Sequence, residues 1–200
     1  SGSEKLKSQD FEGAIEDFQK AIDLDPYILP CYISLSGLMI NIRQDYSKTI
    51  DLTSKIIELE GFEKTKDVNY AQIYDNRGLA KSYLENEEEA ILDFNEALKI
   101  DDSRGLTYTN RGFSYMQIGE NELALEDLNK AVDIDNTIPN IYFNRSKCRQ
   151  SLGDFKGSLE DCNIAIEKDP ENFNIIQHKM FLDTLFESGL GDTLSNLKEE

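Results

Sequence analysis

Along this 200-residue chain, apolar and small residues fall at three- and four-residue steps, the spacing of one helix face, in stretches of about fourteen residues. Each stretch breaks at a Gly, Asn or Asp, as near Gly119 and Gly153, and a second stretch of similar length follows. The predicted unit is therefore a helical hairpin. Second helices end at Asp25-Pro26 and Asp169-Pro170. There proline discourages further helix and pushes the residue before it out of the α region.

The hairpin repeats. Tyr74, Tyr108 and Tyr142 are 34 residues apart, and the same step links Asn76, Asn110 and Asn144, then Arg77, Arg111 and Arg145. It continues through Asp93, Asp127 and Asp161 and through Ala97, Ala131 and Ala165, while Ala90 and Ala124 lead to Ser158. Self-similarity at one step marks a repeat array, in which each unit buries surface only against its neighbours, so one elongated domain is expected. Small residues recur at Gly37, Gly78, Gly112 and Ser146, each followed twelve residues later by Thr49, Ala90, Ala124 and Ser158. These columns predict the points where paired helices approach closely.

Hairpins of this length with Tyr, Gly, Ala, Phe or Leu, Ala and Pro at these offsets resemble tetratricopeptide repeats, as in Tyr108 to Asp135 (YTNRGFSYMQIGENELALEDLNKAVDID). The resemblance runs from Phe11 to Asn172. It implies an all-α, right-handed superhelical solenoid of about five repeats, whose first helices line a concave groove for peptides or partner proteins. The expected organisation is an array over residues 1–172 and a capping helix, Phe173 to about Ser188, with a tail over 173–200. Two departures are expected inside the array. The first repeat is partial, with a half-length first helix from Ser3 to Gln9 before a second helix Phe11–Leu24. Seven extra residues separate Thr49 from Ala90, and they fall around Gly61 to Tyr70. Ser1, Gly2 and Ser3 resemble a cloning remnant and are given no weight in the expected fold.

Two columns carry polar chemistry. Arg77, Arg111 and Arg145 each have an acid sixteen residues later, Asp93, Asp127 and Asp161, whereas the second repeat has Ser36 and Leu52 at those offsets. Since the columns come and go together, intra-hairpin ion pairs are expected, ahead of a ligand-binding role for the guanidinium groups. No acidic or basic column tracks the asparagines, and asparagine is a mediocre helix residue with two donors and an acceptor to offer. Asn76, Asn110 and Asn144 are expected to pair with the backbone of an extended peptide; the alternative is bonding to neighbouring helices or water.

Helical spacing puts further residues on the Asn face. The second repeat supplies Cys31, Leu35, Leu38 and Ile42; the third Gln72, Asn76, Leu79 and Tyr83; the fourth Leu106, Asn110, Phe113 and Gln117; the fifth Asn140, Asn144, Lys147 and Ser151. With adjacent Met116 and Phe143, this predicts a groove apolar at its N-terminal end and polar at the other, where Lys147 would meet polar or acidic groups. The alternative is that Leu35, Leu38 and Ile42 are ordinary packing between hairpins.

Charge narrows the partner. With 21 basic against 39 acidic side chains the net charge is -18, which repels phosphate backbones and anionic lipids, so neither nucleic acid nor membrane is expected. Cys31, Cys148 and Cys162 fit neither a disulfide framework nor a zinc site and point to a reducing, cytoplasmic setting; Cys148 and Cys162 fall in apolar columns, as core thiols do. His178 stands outside any nucleophile or metal spacing, so a packing or surface role is expected. No metal, cofactor or catalytic constellation is expected. The expected function is an adaptor for a protein or peptide. The alternatives are a co-chaperone module for acidic chaperone tails and a regulatory module of a larger enzyme, and self-association is expected to be open through the uncapped first repeat.

Overall fold

A computed structural model describes residues 1–59 and 69–189. Among the described residues there are eleven α-helices and no strand: α1 Gly2–Lys7, α2 Phe11–Leu24, α3 Leu29–Leu38, α4 Tyr46–Glu58, α5 Asn69–Tyr83, α6 Glu87–Ile100, α7 Gly105–Gln117, α8 Asn121–Ile134, α9 Pro139–Ser151, α10 Phe155–Lys168 and α11 Phe173–Glu187. The chain divides into two compact units, Ser1–Asp102 and Ser103–Glu200. Of the expected excess at 61–70, residues 61–68 lie outside the described residues, as does the tail 190–200.

The turns inside the hairpins share one construction. A residue of positive φ, Gln9, Gln44, Glu85, Gly119 or Gly153, precedes the residue that opens the second helix. Asp10, Asp45 and Asp154 then accept a hydrogen bond from the amide three residues on, at 3.0, 3.0 and 2.9 Å, which satisfies an amide that the helix itself cannot pair. At the far ends Asp25, Asp101 and Asp135 adopt extended backbone and stop the helix.

In the first unit the core gathers Phe18, Ile22, Tyr32, Leu35, Ile56 and Ile73. Gly2 is buried there too: a Cβ on it would come within 2.8 Å of the Phe18 ring. Gly2 thus belongs to α1, contrary to the expectation that it carries no weight in the fold. The second unit holds two clusters, Ala124 with Leu128 and Cys148, and Tyr142 with Cys162, Ala165, Ile175 and Leu182. Ile175 and Leu182 bring α11 onto α10.

The close-approach column is built as expected in three repeats and shifted in one. A Cβ on Gly78 would lie 2.8 Å from Phe94 Cε1, and one on Gly112 would lie 3.1 Å from Leu128 Cγ and 3.2 Å from the Ala124 carbonyl. Ser146 uses the same approach to donate to the Ser158 carbonyl at 2.7 Å. Gly37 has nothing within 4 Å of its Cβ direction, so it does not stand at the contact. The reason is a π-helical turn, Met39–Arg43, that continues α3 and adds one residue before α4. The register of α3 moves by one, and fully buried Ser36 and Tyr32 fall where Gly78 and Tyr74 stand in the next repeat.

Candidate functional site

The shift in α3 changes the face it offers. Cys31, Leu35 and Leu38 are buried in the first unit's core, so they are packing residues and no apolar groove wall; Ile42 alone of that expected set is exposed. On α3 Pro30 is exposed and Ile33, Ser34 and Gly37 are half-buried; exposed Asn41, in the π-helical turn, donates to the Gly37 carbonyl at 2.9 Å. The expected gradient from apolar to polar is therefore absent at its N-terminal end.

The three arginines sit between paired helices. Arg77 Nε and Nη2 donate to the two carboxylate oxygens of Asp93 at 2.9 and 2.6 Å, Arg111 makes the same fork to Asp127 at 2.7 and 2.7 Å, and Arg145 to Asp161 at 2.8 and 2.6 Å. Each guanidinium also stands 5.5 or 5.6 Å from the ring of its repeat's tyrosine, Tyr74, Tyr108 or Tyr142. Lys81 adds a contact to Asp93 at 2.9 Å, and Arg149 one to Asp161 at 3.1 Å. Burial disfavours charge on Arg111 and Arg145, yet the carboxylates of Asp127 and Asp161 outweigh it and hold both pKa values above the usual range. In the second repeat, with the register corrected, Leu35 takes the arginine's place and Leu52 the acid's, both buried in one core.

The asparagine column divides. Asn76 is buried, donates to Ser36 Oγ at 2.7 Å, and accepts from Gln72 Nε2 at 2.8 Å, so its amide is spent on tying α5 to α3. Asn110 and Asn144 are half-buried, and among the described residues no side-chain hydrogen bond engages either amide. The difference lies in the preceding first helix. Where Ser36 offers Asn76 a hydroxyl, α7 offers Asn144 only Gly112.

The column has a fourth member that the sequence reading passed over. His178 lies 34 residues after Asn144, and its Nε2 is 3.0 Å from Ser146 Oγ, the place in α9 that Ser36 holds in α3. Ser146 gives its single hydroxyl hydrogen to the Ser158 carbonyl, so the imidazole is assigned as the Nε2–H donor. The ring also packs edge-on to Phe143, with centroids 5.7 Å apart. Burial, aided by the charge of Lys147, holds its pKa below the usual 6.5. Burial likewise pushes the Cys148 and Cys162 thiols up to about 11, which keeps them protonated and unreactive.

In the second unit α7 packs on α9. Across these two helices Leu106, Gln117 and Asn140 are exposed, and Asn110, Phe113, Asn144 and Lys147 are half-buried. The Lys147 ammonium rests 5.7 Å from the Phe143 ring centroid. In the first unit Leu79 is half-buried and Tyr83 is exposed, stacked on Tyr46 at 4.6 Å. Among the described residues no His, Cys, Asp and Glu cluster could hold a metal, and no helix is long and apolar enough to cross a membrane.

Hairpins with this turn, this close-approach column and this arginine–tyrosine–aspartate interlock define a class of helical repeat, and the sequence matches the tetratricopeptide-repeat family over residues 1–27, 71–104 and 107–138. Those three segments are tetratricopeptide repeats. No curated protein matches it. Among solved structures, MamA is 22% identical, with 85% of this chain and 95% of that one covered and a TM-score of 0.70. YrrB, described as a tetratricopeptide-repeat protein with an unusual peptide-binding site, is 15% identical over 90% of this chain and 88% of that one, at a TM-score of 0.66. The first repeat domain of Spaghetti (RPAP3), bound to the HSP90 peptide SRMEEVD, is 21% identical over 60% of this chain and 96% of that one, at 0.59. These likenesses show the fold, an all-α solenoid of tetratricopeptide repeats. A chain of this kind is a protein-interaction module.

Proposed function

We propose that this chain is an adaptor that holds an extended segment of a partner protein on the wall formed by α7 and α9. The carrying observation is the pair of unspent amides, Asn110 and Asn144, set at the same place in successive repeats on a face whose exposed residues carry no charge. Amides can pair with peptide backbone whatever its sequence, while Leu106 and Phe113 would seat apolar side chains and Lys147 a polar or acidic one. Leu79 and Tyr83 of α5 are proposed as a separate apolar contact of the first unit. No catalytic step enters it, and a reducing, cytoplasmic setting accompanies it.

Affinity capture with the wild type, with Asn110→Ala/Phe113→Ala/Asn144→Ala and with Asn76→Ala tests the reading. Partners should be lost with the triple variant and kept with Asn76→Ala. A partner set common to all three would move the site to another face.

The peptide-bound RPAP3 relative motivates a second reading, capture of an acidic chaperone tail. Against it, Lys147 is the one cation of α7 and α9 besides the arginines held by Asp127 and Asp161, and its ammonium is turned over Phe143. Titration with SRMEEVD peptide decides between them: binding that vanishes in Lys147→Ala would favour the acidic-tail reading.

A further inference from the structure

The outward side of α11 is unlike that of α8 and α10 in its unit. Its exposed residues between Glu171 and Glu187 are Phe173, Asn174, Gln177, Met180, Phe181 and Thr184, which line one stripe of the helix. None is charged, and Phe173, Met180 and Phe181 are 67%, 64% and 50% exposed. By contrast α8 exposes Glu122, Glu126, Lys130 and Asp133, and α10 exposes Lys156, Glu160, Glu167 and Lys168. A helix that merely closes a repeat array needs a polar outer face. This one carries a single carboxylate, Glu187 at its C-terminal end, and is otherwise uncharged and rich in large apolar groups, in a protein of net charge -18.

The repeat pattern says what shape would cover it. Met180 lies 34 residues after Ser146, in the column where a first helix meets its own second helix. Gly112 there faces Leu128 and Ala124 of α8, and Ser146 faces Ser158 of α10. At Met180 the same side is open to solvent. The fitting occupant is an amphipathic helix of roughly the length of α8 and α10, laid along α11 as they lie along α7 and α9. The electrostatic setting says what flanks that helix would carry. Residues 103–200 hold 17 acidic against 10 basic side chains, and a second copy of the chain would bring its own -18.

We propose that the outer stripe of α11 is a docking surface for one amphipathic helix of another protein, apolar along its inner face and flanked by lysine or arginine. This surface is separate from the α7–α9 wall, and each can be lost without the other.

The test uses two labelled synthetic helical peptides with the same alanine and leucine stripe, one flanked by lysine and one by glutamate, titrated against the full chain by fluorescence anisotropy at physiological ionic strength. The lysine peptide should bind and the glutamate peptide should not. Phe173→Ser/Met180→Ser/Phe181→Ser should weaken binding by about tenfold or more, because the removed groups supply the apolar contact. Asn144→Ala should leave it unchanged. Since the substituted residues are exposed, the melting curve should hold; Met180→Ser alone serves if the triple variant melts early. The proposal is overturned if both peptides bind alike, if the serine variants bind as the wild type does, or if sedimentation reveals a dimer that the serine variants abolish.

Discussion

Replacing Asp161 by asparagine removes the charge on which two arginines converge while keeping the side chain's shape. The carboxylate is 1% exposed and accepts from Arg145 Nε and Nη2 at 2.8 and 2.6 Å, with Arg149 Nη1 at 3.1 Å. Breaking a buried pair by deleting one partner typically costs ~3–5 kcal/mol, because the remaining charge is left without compensation. Here Arg145 and Arg149 are 13% and 22% exposed, and both keep other partners, Asn129 Oδ1 at 3.0 Å and the Gly157 carbonyl at 3.0 Å. The lower end, about 3 kcal/mol, is therefore expected. For a chain of this size that corresponds to a melting point roughly 6–12 °C lower, read by circular dichroism. Arg145→Leu/Asp161→Leu should lose less than Asp161→Asn, because the more buried guanidinium leaves with its partner and Arg149 keeps the Gly157 carbonyl; Leu35 and Leu52 fill the same two places in the second repeat. An Asp161→Asn variant that melts within about 2 °C of the wild type would refute the claim that this interlock matters to the fold.

Two further outcomes follow from the same contacts. Gly112→Ala should destabilise by about 1–3 kcal/mol in a urea titration, since its Cβ meets Leu128 and the Ala124 backbone, whereas Gly37→Ala, with open space around it, should be neutral or stabilising by up to ~1 kcal/mol; equal effects at the two sites would contradict the shifted register. His178 has its folded pKa depressed, so its contribution to stability is present above the unfolded value near 6.5 and is lost as pH falls from there through the folded value. Between pH 7 and 5 the wild type should thus lose more melting temperature than His178→Gln, and parallel losses would sink the assignment.

Much of this was readable from the chain because a 34-residue step puts chemically linked residues into columns. The arginines and aspartates could be matched because both columns lapse in the second repeat. Three features escaped for distinct physical reasons. A π-helical turn adds one residue inside a continuous helix, with no Gly or Pro to announce it, so counting back from Thr49 selected Gly37 where Ser36 makes the contact. Whether an asparagine is spent or available depends on the residue it meets in the preceding helix, a serine for Asn76 and a glycine for Asn144, and not on its own column. His178 kept the spacing but changed the letter, so a search for recurring asparagine stopped one repeat short.

The account's central claim is that the unspent amides of the α7–α9 wall meet the partner. Side-chain amide NMR on the asparagine-labelled chain, with and without a captured partner segment, addresses it most directly. The Asn110 and Asn144 side-chain resonances should shift while that of Asn76, held by Ser36, stays in place. Shifts confined to asparagines of the second helices, such as Asn129 and Asn163, with Asn110 and Asn144 unmoved, would contradict it.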